Sequence, residues 1–240
     1  MEQGTKNYFI SVVIPAYNEE KYLASCLESL KNQNYPKEKY EVIVVDNNST
    51  DKTPQIARDF GARIVGCQVQ GVAAARQVGG QAVFGEIIAG TDADTMLPVT
   101  WLKDINSYFQ DKSIVAISGS ATFSSTGSFN KLLARVGFPL IMRTMFFLGK
   151  KALNGFNFAI RKDVFDKIGG FDPEMLSAED VDLGIKASKK GKVIFIPSLV
   201  VTTSARRIEK SRIKFFWHHI KNIVRFMILR KEPEGFENIR

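Results

Sequence analysis

The sequence is poor in the residues that build disulfide frameworks and structural metal sites. It has two cysteines and two histidines in 240 residues. Cys26 and Cys67 lie in apolar runs with no cysteine or histidine at metal-ligand spacing, which predicts two buried thiols in a reducing compartment. The longest uncharged run, 113–130, is rich in Ser, Gly and Thr, and residues 1–9 lack the layout of a signal peptide. We therefore expect a cytoplasmic chain that does not span a membrane.

The composition otherwise suits a folded domain. With 45% hydrophobic and 24% charged residues, the chain can build one sizeable core, which excludes a disordered or collagen-like protein. The formal charge of +8 is unevenly placed, since residues 1–100 carry 9 Lys and Arg against 12 Asp and Glu. Residues 206–231 carry nine basic residues against Glu209 alone. The positive charge is therefore concentrated in the C-terminal segment.

Apolar, β-branched segments alternate with helical patterns in the first half of the chain. An apolar repeat from Tyr22 to Leu30 has helical spacing, with Asn18 as the expected N-cap. This alternation predicts an α/β fold in which helices flank a mostly parallel central sheet. The strands are predicted at 9–14, 41–45, 63–67, 86–90 and 114–119, and further helices at 53–60, 72–84 and 98–109.

The pattern changes after residue 120. A long apolar stretch at 129–149 is followed by a strand-like segment at 153–160 and a Gly169-Gly170 turn. A helix is predicted from about residue 179, and strands at 193–196 and 199–202. We see no repeat and no long linker, so we predict one globular unit whose second half contributes to the same cleft as the first.

Carboxylates follow several of the predicted strands. Asp46 comes after the second, Asp92 and Asp94 come after the fourth, and Glu179 with Asp180 come later. In a parallel sheet these loops meet at one edge, where several carboxylates repel unless a cation or a sugar hydroxyl offsets them. Hard oxygen ligands on short loops suit Mg²⁺ or Mn²⁺, with a substrate diphosphate completing the coordination. The loops predict a metal–nucleotide site.

Each carboxylate also has a purely structural interpretation. Asp46 could form a turn, and Asp92 with Asp94 could simply precede the next helix. Ser177 and Asp180 have the spacing of a capping box. Taken singly, none of these residues distinguishes a site from a loop.

Six segments, in order along residues 9–200, together resemble the signature of family 2 glycosyltransferases with the GT-A nucleotide-diphospho-sugar fold. They are Val12 to Glu20, Val44 to Asp51, Gly71 to Gly79 with Arg76, Thr91 to Asp94, Gly169 to Asp172, and Glu179 to Leu183.

The resemblance implies transfer of a sugar from a UDP- or GDP-linked donor to an acceptor glycan hydroxyl or lipid-linked phosphate, with inversion and with Mg²⁺ or Mn²⁺. It implies a GT-A catalytic domain over 1–205, with a nucleotide-binding half at about 9–119 and an acceptor-side half at 120–205. Residues 206–240 would form a basic amphipathic tail.

The resemblance also assigns residue roles. Asp180 would be the general base with Glu179 as its neighbour, and Asp94 would bind the metal while Asp92 contacts the ribose region and joins the metal site. Arg76 would lie near the nucleotide, although a solvated helix residue is the alternative. The donor-binding set implied is Pro15, Ala16, Tyr17, Glu19, Asp46, Arg76, Asp92, Ala93 and Asp94.

Two departures from the family pattern bear on donor binding. Many relatives have a second acidic residue where this chain has Asn47. Many also have a histidine after the last core strand, whereas here both histidines, His218 and His219, fall in the tail. Arg206 and Arg207 could instead clamp the diphosphate, because guanidinium groups suit bidentate phosphate contact. The alternative is that both are exposed residues of a basic tail.

The tail pattern predicts an amphipathic basic helix over 213–229. Such a helix can lie in a lipid interface and be attracted to anionic headgroups, which predicts peripheral membrane contact through 206–231 at the inner face of the cell membrane. The apolar stretch 129–149 could add a second contact. The alternative is that both segments pack on the core or on a second subunit. Nucleic-acid binding is not expected, because the first half is acidic and no aromatic-interleaved strands are present.

Two other functions compete with sugar transfer. A nucleotidyltransferase shares a similar sheet and metal site, but such enzymes usually open with a Gly-rich basic loop, unlike the segment Pro15 to Glu19. A non-catalytic nucleotide-binding or membrane-surface scaffold would retain the fold without needing Asp94 or Asp180.

Overall fold

The computed structural model describes residues 5–124, 136–204 and 206. In these residues one eight-stranded sheet is flanked by seven α-helices. The strands are β1 Ile10–Ala16, β2 Tyr40–Asp46, β3 Arg63–Gly66, β4 Ile87–Gly90, β5 Thr95–Met96, β6 Ile114–Ser124, β7 Phe158–Arg161 and β8 Lys192–Ser204. The helices are α1 Leu23–Lys31, α2 Thr53–Asp59, α3 Val72–Gln81, α4 Trp101–Tyr108, α5 Phe138–Phe147, α6 Lys162–Lys167 and α7 Glu179–Ser188.

The sheet is mixed but mostly parallel, in the order β3-β2-β1-β4-β7-β6-β8-β5. Strands β1 to β4 pair in parallel, and β6 pairs in parallel with β8. Strand β7 is antiparallel to both β4 and β6, and β5 is antiparallel to β8. Six strands therefore end at the same edge, and the loops after β1, β2, β4 and β8 meet there.

The sheet is buried on both faces, as parallel strands usually are. Successive residues of β1 serve opposite faces: Val12 joins the cluster that includes α1 and α4, whereas Val13 joins the cluster that includes α3 and α7. Trp101 of α4 is fully buried in the first cluster. The apolar, β-branched runs that predicted buried strands are the central strands of the sheet, which confirms the predicted α/β class.

Three predicted elements differ from the structure. The strand predicted at 153–160 is limited to Phe158–Arg161, and the two strands predicted at 193–196 and 199–202 form one strand, β8. Its pairing with β6 shifts register between Gly119 and Ser120, which accommodates the break. Asn18 is not an N-cap: helix α1 begins after Tyr22, and Asn18 has a left-handed φ of 55°.

Two predicted segments fall wholly or partly outside the described residues. The amphipathic helix at 213–229 and Arg207 lie outside them, and of the tail only Arg206 is described. The apolar stretch 129–149 is described from residue 136 and forms α5 there. Among all helices in the described ranges, none combines the length and hydropathy that crossing a bilayer requires.

Candidate functional site

The predicted carboxylate loops are brought together at the carboxyl edge of the sheet. Asp46 is the last residue of β2, next to Ala16 of β1 in the parallel pairing. Asp92 and Asp94 lie in the short connection between β4 and β5. Because β1, β2 and β4 are adjacent and point the same way, their loops share one edge. Asp46 also accepts the N–H of Ser49 at 3.2 Å, so it stabilises its own loop as a turn former would.

Arg76 is delivered to this edge by α3, a helix of small residues that lies close on the sheet. A Cβ at Gly79 would overlap the Val13 and Val45 side chains, so glycine permits this close approach. Arg76 itself is only 6% exposed. The alternative of a solvated helix residue is therefore wrong.

Arg76 connects two of the predicted site loops. Its guanidinium donates to Glu179 and, at 2.8 Å, to Asp92 Oδ1. Burial opposes the charge of Arg76, but the negative charges of Glu179, Asp92 and Asp180 outweigh it and raise the arginine pKa. Arg76 is therefore a permanent cation that holds the β4–β5 loop and the start of α7 together.

Asp180 is held by backbone groups rather than by a capping box. The N-cap of α7 is Ala178, with φ of 61° and no side-chain cap, so the proposed Ser177–Asp180 capping box is not formed. Asp180 Oδ2 accepts the N–H of Gly155 at 2.7 Å, and Oδ1 accepts the N–H of Val181 at 2.8 Å. The backbone therefore fixes the orientation of the carboxylate.

Burial raises the pKa of both acidic residues at the start of α7. For Glu179 it raises the pKa to about 6, with Arg76 opposing the shift and Asp180 adding to it. For Asp180 burial also raises the pKa, while Arg76 and the two backbone N–H groups lower it and Asp92 adds to the rise. Asp180 is therefore a stronger proton acceptor than an exposed aspartate.

A second ion cluster lies beside the first and was not predicted. Arg206 donates to both carboxylate oxygens of Glu19, at 2.8 and 2.5 Å, and its Nε lies 3.0 Å from Asp94 Oδ2. Its guanidinium also packs over the Tyr22 ring at 4.8 Å. The alternative that Arg206 is an exposed tail residue is therefore wrong. It joins the loop after β1, the β4–β5 loop and the end of β8.

The two clusters leave the edge acidic. Among the described residues, two guanidinium groups lie with five carboxylates, those of Glu19, Asp92, Asp94, Glu179 and Asp180. Within the described ranges, no three His, Cys, Asp or Glu residues are grouped as a metal ion would need. The excess negative charge nevertheless favours binding of a cationic or cation-bearing ligand.

Asn47, a departure from the family pattern, has a structural role. Its side-chain amide donates to the carbonyls of Cys67 and Val69, at 2.8 and 2.7 Å, and its Oδ1 accepts the N–H of Gly71 at 2.8 Å. A carboxylate could not donate the first two bonds. Asn47 therefore joins the ends of β2 and β3 to the start of α3.

The remaining predicted donor-binding residues occupy the end of β1 and the β4–β5 loop. Pro15 and Tyr17 are partly exposed at the edge, whereas Ala16 and Ala93 are buried in the core. Any contact that these two alanines make with a ligand would therefore come from the backbone. The roles of all four in donor binding stay predictions.

Comparison with known proteins agrees with this arrangement. The model of the family described as Glycosyl transferase family 2 matches residues 11–169. Glycosyltransferase AglE of Haloferax volcanii is 30% identical over 189 residues, which are 76% of this chain and 62% of AglE. The chain thus spans less than two thirds of that relative.

Two solved structures share the fold. Mannosyltransferase PcManGT from Pyrobaculum calidifontis, in complex with GDP-Man and Mn²⁺, has a TM-score of 0.77 at 22% identity, over 97% of this chain and 67% of that one. Residues 1–349 of S. aureus TarS, in complex with UDP-GlcNAc, have a TM-score of 0.67 at 20% identity, over 94% and 68%. With the mixed sheet, the acidic edge and the family match over 11–169 in place, the chain belongs to glycosyl transferase family 2 and has the GT-A fold.

Proposed function

We propose that the protein transfers a sugar from a nucleotide-diphosphate donor to an acceptor hydroxyl or lipid-linked phosphate, with inversion at the anomeric carbon. The observation that carries this proposal is the connection between the two predicted halves of the site. Arg76 contacts Asp92 on the donor side and Glu179 on the acceptor side. Donor-binding and proton-accepting carboxylates are therefore within reach of one substrate pair.

Asp180 is the proposed general base. The N–H groups of Gly155 and Val181 fix its carboxylate, and its raised pKa strengthens it as a proton acceptor. The acceptor oxygen loses its proton to Asp180 as it attacks the anomeric carbon opposite the departing diphosphate, which inverts the configuration. Glu179 and Arg76 act on this carboxylate through their charges, without themselves exchanging a proton with the acceptor.

The carboxylates of the β4–β5 loop are ligands that suit Mg²⁺ or Mn²⁺. Asp92 and Asp94 offer hard carboxylate oxygens on a short loop, and each already attracts a guanidinium group in the structure. Asp94, joined by Asp92, would hold the ion, and donor phosphates and water would complete its shell. When bound, the ion acts as a Lewis acid that neutralises charge on the leaving diphosphate. Arg206 would compete with the metal ion for Asp94, so metal binding requires the Arg206–Asp94 ion pair to rearrange.

The arrangement of the site and the ligands of structurally similar proteins support a nucleotide-sugar donor. Pro15, Tyr17, Glu19 and Asp46 lie at the edge where a nucleotide would enter an α/β sheet. The related structures contain GDP-Man and UDP-GlcNAc. We propose a UDP- or GDP-linked sugar as donor, and peripheral membrane contact through 206–231 where the acceptor is a lipid.

The test is a thermal-shift panel with UDP and GDP, with and without Mn²⁺, followed by an assay of nucleotide release from the matching sugar donor. A ligand present at 100 times its dissociation constant adds about 2.7 kcal/mol to stability, which is a clear shift. We expect Asp94→Asn to lose the Mn²⁺-dependent part of the shift. We expect Asp180→Asn to keep the shift and lose sugar transfer.

The matched control is Asp59→Asn, which removes an exposed carboxylate of α2 and should change neither readout. Release of pyrophosphate from a nucleoside triphosphate and a sugar phosphate, with no transfer from the nucleotide-diphosphate sugar, would favour the nucleotidyltransferase. A nucleotide-induced shift with no sugar transfer by the unaltered chain would favour a non-catalytic scaffold. Either result would overturn the proposed function.

A further inference from the structure

Helix α5 is apolar on two sides, but only one side is covered by described residues. On its inner side Met142 is buried against Ala152 and Val181, with Phe138, Met145 and Phe146 packed around them. On its outer side Leu140 is 63% exposed, Phe147 90% and Leu148 66%, and Val136 and Ile141 are also exposed. The outer residues recur at helical spacings of four, seven and eight, so they form one continuous ridge.

Exposed ridges of this kind are rare on proteins that face only water. Single exposed apolar residues need no explanation, but five large ones on one side of a segment of thirteen residues mark an interaction surface. The other exposed large apolar side chains of the described residues include Phe84, in the loop before β4, and Met96 of β5. The ridge on α5 is therefore a local feature with its own cause.

The charged residues of the segment that carries the ridge have one sign. Residues 136–151 contain Arg143, Lys150 and Lys151 and no acidic residue. Arg143 and Lys151 also line a pocket of about 450 Å³ together with Lys192 of β8. Phe146, Val193 and Phe195 give this pocket an apolar wall. A basic pocket with an apolar wall therefore adjoins the exposed ridge.

An exposed apolar ridge beside a basic pocket favours a ligand that is both anionic and amphiphilic. A free anion would use the pocket but would leave the ridge in water, and a polyanion such as nucleic acid would gain nothing from Leu140 or Phe147. The basic residues of the segment 206–231 have the same sign of charge as this face, so their charges do not favour a contact with it. An anionic bilayer satisfies both parts, because headgroups meet the cations while apolar side chains enter the boundary with the acyl chains.

The same helix lies against the proposed acceptor side. Its inner side packs on Ala178 and Val181, which flank Glu179 and Asp180. The pocket includes Ser188 at the far end of α7, and ten helical residues span roughly 15 Å. A bilayer bound at α5 would therefore lie about one helix length from Asp180.

We propose that the ridge and basic pocket of α5 bind anionic phospholipid, and that this holds the cleft at the lipid–water interface. Delivery of a lipid-linked acceptor to Asp180 rests on the proposed function, whereas binding of the lipid surface does not. The contact is separate from the one predicted for the tail.

The test measures co-sedimentation of the full chain with vesicles of phosphatidylcholine alone and of phosphatidylcholine with phosphatidylglycerol. We expect binding to the anionic vesicles only. Phe147→Ser should weaken it roughly tenfold, which is the value of burying one large apolar side chain. Arg143→Glu should weaken it at least about fivefold, the value of one charge near an anionic surface.

Matched controls separate this surface from general effects. Phe84→Ser removes another exposed phenylalanine, 78% exposed, and Lys103→Glu reverses another exposed charge. Both should bind vesicles like the unaltered chain. If the α5 variants bind as tightly as these controls, the proposal is overturned. It is also overturned if Phe147→Ser instead breaks a dimer that shows no vesicle binding, because a second copy then covers the ridge.

Donor binding distinguishes failure of this proposal from failure of the proposed function. Phe147→Ser and Arg143→Glu should keep the nucleotide-induced thermal shift, because neither residue lies at the acidic edge. A normal shift with unaltered vesicle binding overturns the lipid surface alone. An absent shift in every chain, with vesicle binding lost only in the α5 variants, overturns the proposed function and supports the surface.

Discussion

Replacing Arg76 with methionine keeps an apolar stem of similar length but removes the cation that Glu179 and Asp92 contact. Glu179 is 5% exposed, so its carboxylate would stay buried without its partner. Removing one member of a buried ion pair costs about 3–5 kcal/mol, because the remaining charge is neither solvated nor compensated. Since domains are stable by about 5–15 kcal/mol, the variant should fold but with much reduced stability.

The assay is urea unfolding followed by tryptophan fluorescence, which reports the core through the fully buried Trp101. The reference is Lys167→Met, because the Lys167–Asp163 pair is 63% and 60% exposed and an exposed pair contributes less than about 1 kcal/mol. We expect Arg76→Met to lower the urea concentration at the unfolding midpoint several times more than Lys167→Met does. The dependence of the unfolding free energy on urea concentration should stay unchanged.

A second variant tests the cause of the loss. Adding Glu179→Gln to Arg76→Met removes the uncompensated charge, so the double variant should recover at least about 1 kcal/mol of unfolding free energy. Equal losses for Arg76→Met and Lys167→Met, or no recovery in the double variant, would refute the view that a buried ion pair holds the two halves of the site together.

Three further predictions concern the same core. Burial raises the pKa of Glu179 from 4.5 to about 6, so its protonation stabilises the fold by about 2 kcal/mol below pH 4.5, a contribution lost as the pH rises through 6. Glu179→Gln should flatten stability against pH in urea titrations, and an unchanged curve would contradict this. Burial raises the pKa of both thiols, so Cys26 and Cys67 should react with a thiol reagent only after unfolding; rapid labelling of the native chain would count against it. A Cβ at Gly155 would overlap the Arg76 guanidinium, so Gly155→Ala should cost about 1–3 kcal/mol, and less in Arg76→Met; additive losses would be inconsistent with that contact.

The first half of the fold follows from local patterns. Strands β1, β2 and β4 are apolar, β-branched and closed by polar residues, and the helices between them have clear apolar periodicity. The convergence of Asp46, Asp92 and Asp94 follows in turn, because adjacent parallel strands end at one edge. The apolar periodicity and the positions of the loops were therefore enough to predict that the donor-side carboxylates lie at one edge of the sheet.

Long-range pairing was not predictable in the same way. Nothing local marks β7 as the antiparallel partner of β4 and β6, since its direction depends on the packing of the whole second half. The Arg206–Glu19 pair joins residues 187 positions apart. Arg206 resembles the other basic residues of the tail in sequence, and its contacts with Glu19 and Asp94 are visible only in the folded chain.

Local propensity misassigned Asn18 for a similar reason. Asparagine favours helix N-caps, but here its Oδ1 accepts the N–H of Thr50 at 2.8 Å, and its own N–H donates to Ser49 at 3.0 Å. Asparagine also tolerates the left-handed conformation that the loop requires. The tertiary contact between the β1 and β2 loops overrides the capping preference.

The reversed strand β7 has a consequence for the order in which the chain assembles. Before residues 158–161 are synthesised, β4 has one unpaired edge and β6 has no strand partner, because β7 and β8 both follow β6 in the chain. Unpaired edges of this kind can pair with other chains. Strands β1 to β4 can pair with one another as they emerge from the ribosome, but they cannot join β6 and β8 until β7 is inserted between them. Completion of the sheet is therefore a late, non-local step in folding, and a ribosome stalled before β7 would leave the β1–β4 sheet with an open edge and β6 without a strand partner.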